Sequence, residues 1–301
     1  MYFIDDSNDR QHVYPTYGRQ FCTYKWFKPL ITAAITGAIY MVLVIALLLI
    51  CTQSVSNGIS ISYENLDFNN IGLSIYILGG LAVAIPALWI ASKIVRDRPF
   101  SSYSSARGGW NFKVFFICLV PALLIGAGPL VVQIYQATHF NFDVELSFMG
   151  FLIILILGPL QCIAEEYIFR GVFMQTLGSW LGRPILAIII QAVVFSFSHK
   201  YNVYGLVTII LSGLVLGFAT YITRGIEASS ALHIANNVPL FYIVGLHLAT
   251  LSSQPGMATV VNEIIEGGLY ILFLLILKKK TNLFDEVKKD DLAIWNEKHA
   301  K

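Results

Sequence analysis

The sequence predicts an all-α polytopic membrane protein of about eight transmembrane helices, with an active site inside the helical bundle. Three observations predict it. Hydrophobic residues make up 56% of the 301 residues and charged residues only 13%, about half the roughly 25% usual for soluble domains. Apolar runs long enough to cross a bilayer recur along the chain. Lysine and arginine segregate to alternate connections between those runs.

A helix needs about 20 apolar residues to cross a bilayer. That ruler places spans at 30–52, 72–92, 112–135, 148–176, 184–199, 203–222, 229–249 and 257–277. The early spans are separated by a polar stretch from Glu64 to Asn70, a basic one from Lys93 to Lys113 with Gly108 and Gly109, and one from Gln136 to Glu145 that carries acids only. The run at 30–52 is too long for the apolar part of a signal peptide and has no A-x-A site after it, so it reads as a retained first span.

Charge gives the direction. With the N-terminus in the cytoplasm, the inner side receives Arg10, Arg19, Lys25 and Lys28 of the arm, then Lys93, Arg96, Arg98, Arg107 and Lys113. Arg170, Arg183 and Arg224 follow in later inner connections, and the tail adds Lys278, Lys279, Lys280, Lys288, Lys289, Lys298 and Lys301. Lys200 alone falls outside. This positive-inside pattern predicts a multi-pass protein of the cell membrane with both termini cytoplasmic. The chain divides into a cytoplasmic or interfacial arm (1–29), a transmembrane domain (30–277) with a catalytic core at 145–250, and a cytoplasmic tail (278–301).

In the arm, Tyr14, Tyr17, Phe21, Tyr24 and Phe27 recur at helical spacing behind Pro15, which reads as a helix lying in the inner interface. The tail reads as solvated. A net charge of +2 and the lack of a basic, aromatic-laced surface argue against a nucleic-acid partner. Cys22, Cys51, Cys118 and Cys162 form no CxxC pair, so neither a disulfide nor a zinc ribbon is expected.

Three polar clusters interrupt the apolar helices. Each ionisable group at mid-bilayer costs roughly 2.5–3.5 kcal/mol on insertion scales, so each needs a reason. All of them are expected in the late half of the chain, 148–250, which therefore reads as a core around a cavity. In the first cluster, Glu166 and Arg170 stand four apart with the acid first, the favoured order for an ion pair on one helix face. Glu165 points about 100° away and has no such partner on its own helix, which makes it the acid available for chemistry. In the second, Phe195 lies one turn before His199 and is expected to pack under the imidazole. Fifteen steps from Pro184 raise His199 about 22 Å, a height similar to that of Glu165. In the third, His233 and Asn237 share a helix face and offer donors to a developing oxyanion. Plain structural readings exist for each cluster: a solvated helix end, a satisfied core histidine and an interhelical polar contact.

Taken together, Glu-Glu-x-x-x-Arg, Phe-x-x-x-His and His-x-x-x-Asn fall in order within 165–237. This resembles the signature of the type II CAAX prenyl endopeptidase and bacteriocin-processing family of intramembrane proteases, also described as abortive-infection or bacteriocin-immunity proteins. The first 140 residues carry no motif. The resemblance implies that Glu165 and His199 activate a water, that His233 and Asn237 hold the scissile carbonyl, and that Glu166 and Arg170 brace the site. It implies a membrane-associated peptide or protein as substrate. No cofactor is fixed by it. If a divalent metal such as zinc takes part, Glu165, His199 and His233 are its candidate ligands, although HExxH is absent; spacing leaves metal-assisted and metal-free water activation both open. Intramembrane Glu and His also suit an ion-coupled transporter, but no internal repeat accompanies them. A non-catalytic immunity or scaffold protein remains the other alternative.

Overall fold

In the computed structural model, the residues described are 12–56, 67–126, 128–139, 145–248, 255–287 and 289–300. Arg10, Glu64, Lys288 and Lys301 of the charge pattern, and residues 140–144 of the acidic 136–145 connection, lie outside them. Every extended element among the described residues is a helix. A 3-10 helix, Tyr14–Gln20, precedes α1 (Lys28–Ser56), α2 (Ile71–Ala82), α3 (Ala84–Val95), the single turn α4 (Ser101–Ser104), α5 (Phe112–Gly126) and α6 (Gly128–His139). Then come α7 (Phe148–Glu166), a π-helix Tyr167–Met174, α8 (Gln175–Leu181), α9 (Pro184–Ser196), α10 (Val203–Thr223), α11 (Glu227–Gly245), α12 (Met257–Lys280) and α13 (Asp291–His299).

Helix α11 occupies the centre. It packs on α5, α7 and α10, while α2 covers α7, and α9 and α12 cover α10. α1 rests on α2 and α3. Nearly every position of α11 is buried, Ser229, Ser230 and His233 included. A helix enclosed by protein needs no lipid-compatible exterior, so α11 can be polar where the others cannot.

The structure bears out a polytopic all-helical membrane fold, and it does not by itself fix the number of spans at eight. Among the described residues, five helices are long and apolar enough to cross a bilayer: Lys28–Thr52, Ile71–Val95, Phe148–Leu181, Val203–Thr223 and Met257–Lys280. Phe112–Gly126 and Pro184–Ser196 are apolar but shorter. The expected 184–199 span ends at Ser196, and His199 sits in the turn beyond it. The expected 148–176 span continues to Leu181 through the π-helix.

The aromatic stripe of the arm is also corrected. Tyr14 and Tyr17 have no exposed surface and Phe21 is 2% exposed; they join a second core with Leu88, Tyr103 and Met174. Of the stripe only Phe27 is exposed, beside the exposed Trp26, while Tyr24 is half-buried. The burial follows from a close approach to α8: a Cβ on Gly178 would meet the Pro15 carbonyl oxygen at 1.9 Å. The Tyr14 hydroxyl donates to the Tyr103 carbonyl.

Nor is the tail merely solvated. Trp295 of α13 sets its edge on Phe21, with ring centroids 6.4 Å apart, and donates through Nε1 to Thr23 Oγ1 at 2.7 Å. The Cys22 N–H donates to Asn296 Oδ1 at 2.8 Å. Arm and tail therefore close the same end of the bundle.

Buried charge is not confined to the late half. Asp97, Arg98 and Arg107 are buried in the connection between α3 and α5. Arg98 donates to Gln175 Oε1 at 2.7 Å. Arg107 Nη2 lies 2.9 Å from Glu227 Oε2, and Glu227 Oε1 accepts from the Asn111 N–H at 2.9 Å. Half-buried Glu263 and Glu266 on α12 also fall outside the 148–250 window. Removing one partner of a buried ion pair costs about 3–5 kcal/mol. Arg107→Ala is accordingly expected to lower stability by about that much, read as a fall in thermal unfolding temperature of the detergent-solubilised protein.

Candidate active site

Three elements converge on the site: the end of α7 with its π-helical continuation, the turn after α9, and the second and third turns of α11. The π-helix begins immediately after Glu166. Such wide turns are rare and often lie at functional sites. This one carries Arg170, whose Nη1 contacts Glu166 Oε1 at 2.8 Å, with neither side chain exposed. The expected pairing of these two residues is present. Arg170 also reaches the Gly213 carbonyl at 3.4 Å, and Gln191 Nε2 donates to the same oxygen at 2.8 Å. Gly213 is the residue that permits this: a Cβ there would stand 2.9 Å from the Ala192 Cα, so α9 and α10 could not close together.

The third member of the buried cluster is His233. Its Nδ1 is 2.8 Å from Glu166 Oε1. Beside Arg170, Glu166 is a carboxylate and can only accept, so Nδ1 carries the proton and donates. Nε2 then presents a lone pair, and Asn237 Nδ2 donates to it at 3.1 Å. The neutral ring has thereby committed its one N–H to Glu166. Of the two donors expected for an oxyanion, the second N–H of Asn237 is the one left over.

Glu165 is 13% exposed and sits on the open side of this cluster, with Oε2 3.6 Å from His233 Nε2. Gln161, one turn earlier on α7, donates to its Oε1. The His199 ring turns its Nδ1 to the Phe195 carbonyl at 3.2 Å. A carbonyl only accepts, so that bond leaves Nε2 as the ring's acceptor. Phe195 joins all of these groups. Its ring stands edge-on to His199 at 5.0 Å and to His233 at 6.2 Å, and the Arg170 guanidinium lies 4.6 Å from its centroid. It packs against His199 as the spacing predicts. Cys162 is buried and donates to Gln161 Oε1, a packing position. Lys200 is exposed, and Asn236 turns away toward Gly126 on α5.

Glu165 and His199 share the wall of a cavity of about 920 Å³. Its opposite wall comes from α1 and α2–α3, including Tyr40 and Tyr76. Sequence reasoning missed these two tyrosines, as well as Gln161. The one available signal was for Gln161: a carboxamide one helical turn before Glu165 in an apolar run.

The donor set does not fit a metal ion. The one coordinating lone pair of His233, on Nε2, is taken by the Asn237 amide. Among the described residues, no three His, Cys, Asp or Glu side chains gather closely enough to hold one ion.

Fold and cluster together define a polytopic helical membrane protein with an acid–imidazole–amide site inside the bundle. Residues 147–239, which include every member of the cluster, match the family described as type II CAAX prenyl endopeptidase Rce1-like. An uncharacterized protein of Bacillus subtilis (strain 168), YyaK, is 26% identical over 191 residues, which are 59% of this chain and 63% of that protein. The chain thus spans less than two thirds of the length of that relative. No solved structure matches.

The buried pair generates a stability prediction. Arg170→Met leaves the Glu166 carboxylate without its counter-charge and is expected to cost about 3–5 kcal/mol. Arg170→Lys recovers only part of this, because a single ammonium does not reproduce the guanidinium's fixed fork toward Glu166 and Gly213. Thermal unfolding of the two variants beside the parent protein checks the order.

Proposed function

We propose that this protein is an intramembrane endopeptidase that hydrolyses a peptide bond of a membrane-associated peptide or protein. The observation that carries the reading is the position of Glu165. It is the one acid of the cluster not paired to an arginine, it faces His233 at 3.6 Å, and it borders the same cavity as His199. The Rce1-like match over 147–239 supports it.

In this reading a water sits between Glu165 and His199 Nε2. Glu165 takes its proton as the water oxygen bonds to the scissile carbonyl carbon. The carbonyl oxygen becomes an oxyanion and accepts from the free N–H of Asn237, which His233 holds in orientation. The carbon–nitrogen bond then breaks, and the proton on Glu165 passes to the departing amine. Glu166 and Arg170 take no part in proton transfer; they fix the His233 ring and its tautomer. The physiological setting proposed is the processing of a peptide bacteriocin or self-immunity to one, supported by the motif resemblance alone.

The test uses a peptide mixture from digested bacterial membrane proteins in detergent micelles, with new termini counted by mass spectrometry. Glu165→Gln is expected to lose at least about 100-fold of the cleavage rate without unfolding, the lower range for loss of a general base. Asn237→Ala loses about 10²–10³-fold, as for removal of one oxyanion donor. Cleavage by Glu165→Gln equal to the parent's would defeat the reading. Chelation with EDTA or 1,10-phenanthroline is expected to leave the parent rate unchanged, in a separate assay on the same mixture.

A further inference from the structure

The cavity beside Glu165 joins the motif-free early helices to the chemistry. Among the described residues its wall carries no lysine, arginine or aspartate, and apart from Glu165 and His199 it presents only hydroxyl, apolar and glycine surface. A charged segment would find no counter-charge there, whereas apolar surface is stabilised at roughly 25 cal/mol per Å² removed from water. At about 920 Å³ it lies in the upper part of the roughly 300–1,000 Å³ range of pockets that enclose a drug-sized ligand. That is room for several residues rather than one side chain.

Two glycines lie in its wall, Gly80 buried and Gly37 on the exposed side of α1. Gly37 on α1 and Gly80 on α2 both line the cavity, and a Cβ added to either meets no other atom within 4 Å. Gly80 is buried, so the empty space in front of it is the cavity itself. By contrast, Gly178, Gly213 and Gly217 are glycines because the backbone or side chain of a neighbouring element leaves no room for a Cβ. Gly37 and Gly80 have no such packing reason, and glycine inside a helix is unfavourable by about 1 kcal/mol relative to alanine.

Resting on the peptidase reading of Glu165, we propose that Gly37 and Gly80 are specificity-determining residues: they hold open an apolar trough that seats several bilayer-embedded peptide residues next to the bond to be cut. The substrate is then a hydrophobic membrane peptide segment, not a soluble peptide and not a lipid alone.

The experiment uses full-length protein in phosphatidylcholine vesicles with two probes. One is a membrane-spanning oligo-leucine peptide of about 20 residues carrying a benzophenone at its midpoint. The other is phosphatidylcholine with the same photophore on an acyl chain. Irradiation of the parent protein is expected to attach the peptide probe to the cavity-wall segments 33–44 and 76–88. Gly80→Leu and Gly37→Leu fill the trough and reduce those adducts about tenfold or more, the scale of an overpacked site, with Gly80→Ala in between. Because alanine favours helix, Gly80→Ala and Gly37→Leu keep the comparison readable if Gly80→Leu does not fold. Peptide adducts undiminished in the leucine variants, or wall adducts formed by the lipid probe alone, overturn the proposal. Its failure is separable from that of the peptidase reading. Trough adducts retained while the parent cleaves the peptide mixture no better than Glu165→Gln support the trough and defeat the peptidase. Normal cleavage with adducts insensitive to Gly80→Leu defeats the trough alone.

Discussion

A carboxylate and a guanidinium, neither with any exposed surface, lie 2.8 Å apart in the middle of an apolar bundle. Either one alone in that place would be an uncompensated charge in a low-dielectric interior, which is why their separation is so destabilising. The rest of the site depends on this contact. It requires Glu166 and Arg170 on one face of a helix, which the four-residue spacing supplies. It requires that a second helix complete the shell, and His233 of α11 does so by donating Nδ1–H to the same oxygen. That donation determines which nitrogen of the ring holds a lone pair, and the lone pair in turn orients the Asn237 amide. Glu165 is the residue immediately before Glu166, yet it is excluded from the pair by the helical twist and left on the cavity side.

Helix α11 is held by buried polar contacts at two heights. Glu227 in its first turn meets Arg107 and Asn111 from the connection between α3 and α5, and His233 lies six residues on, about 9 Å further along the axis. The Tyr270 hydroxyl of α12 also donates to the Ala228 carbonyl at 2.8 Å. Contacts at separate heights fix both the rise and the rotation of a helix, whereas apolar packing alone resists sliding only weakly. The cap formed by arm and tail extends the same logic. The arm wedges its tyrosines between α8 and the 96–107 connection, and the tail clasps the arm through Trp295 and Asn296. Tyr103, Tyr167 and Met174 share that core with Tyr14, so the cap directly supports the π-helix on which Arg170 is carried.

Much of this was legible in the sequence because it is local. Glu166–Arg170, Phe195–His199 and His233–Asn237 are all one-turn relationships, and one turn of helix is what sequence spacing encodes most directly. What was not legible depends on what surrounds a face. An aromatic stripe has the same period whether it meets lipid headgroups or another helix, so Tyr14 and Tyr17 read as interfacial when they are core. The polar character of α11 marked its chemistry but obscured its place as an enclosed helix. The end of α9 at Ser196 has no glycine or proline to announce it. The buried Asp97, Arg98 and Arg107 sit in a basic connection that looked solvated, because their partners Tyr103, Gln175 and Glu227 arrive from farther along the chain or from other elements.

The early helices are the harder case. They carry no ionisable motif, and a search for chemistry passes over them. In the proposed reading, the site brings water to an acid and also accepts a lipid-soluble chain, and so has two incompatible surfaces to build. The late half supplies the polar one: Gln161 occupies one oxygen of Glu165 and leaves the other directed toward His233. The early half supplies the apolar one, through glycines whose contribution is the space they do not fill. Such a surface leaves no trace in motif spacing, since its information is carried by missing atoms; it becomes readable only when the helices that flank it are set in place.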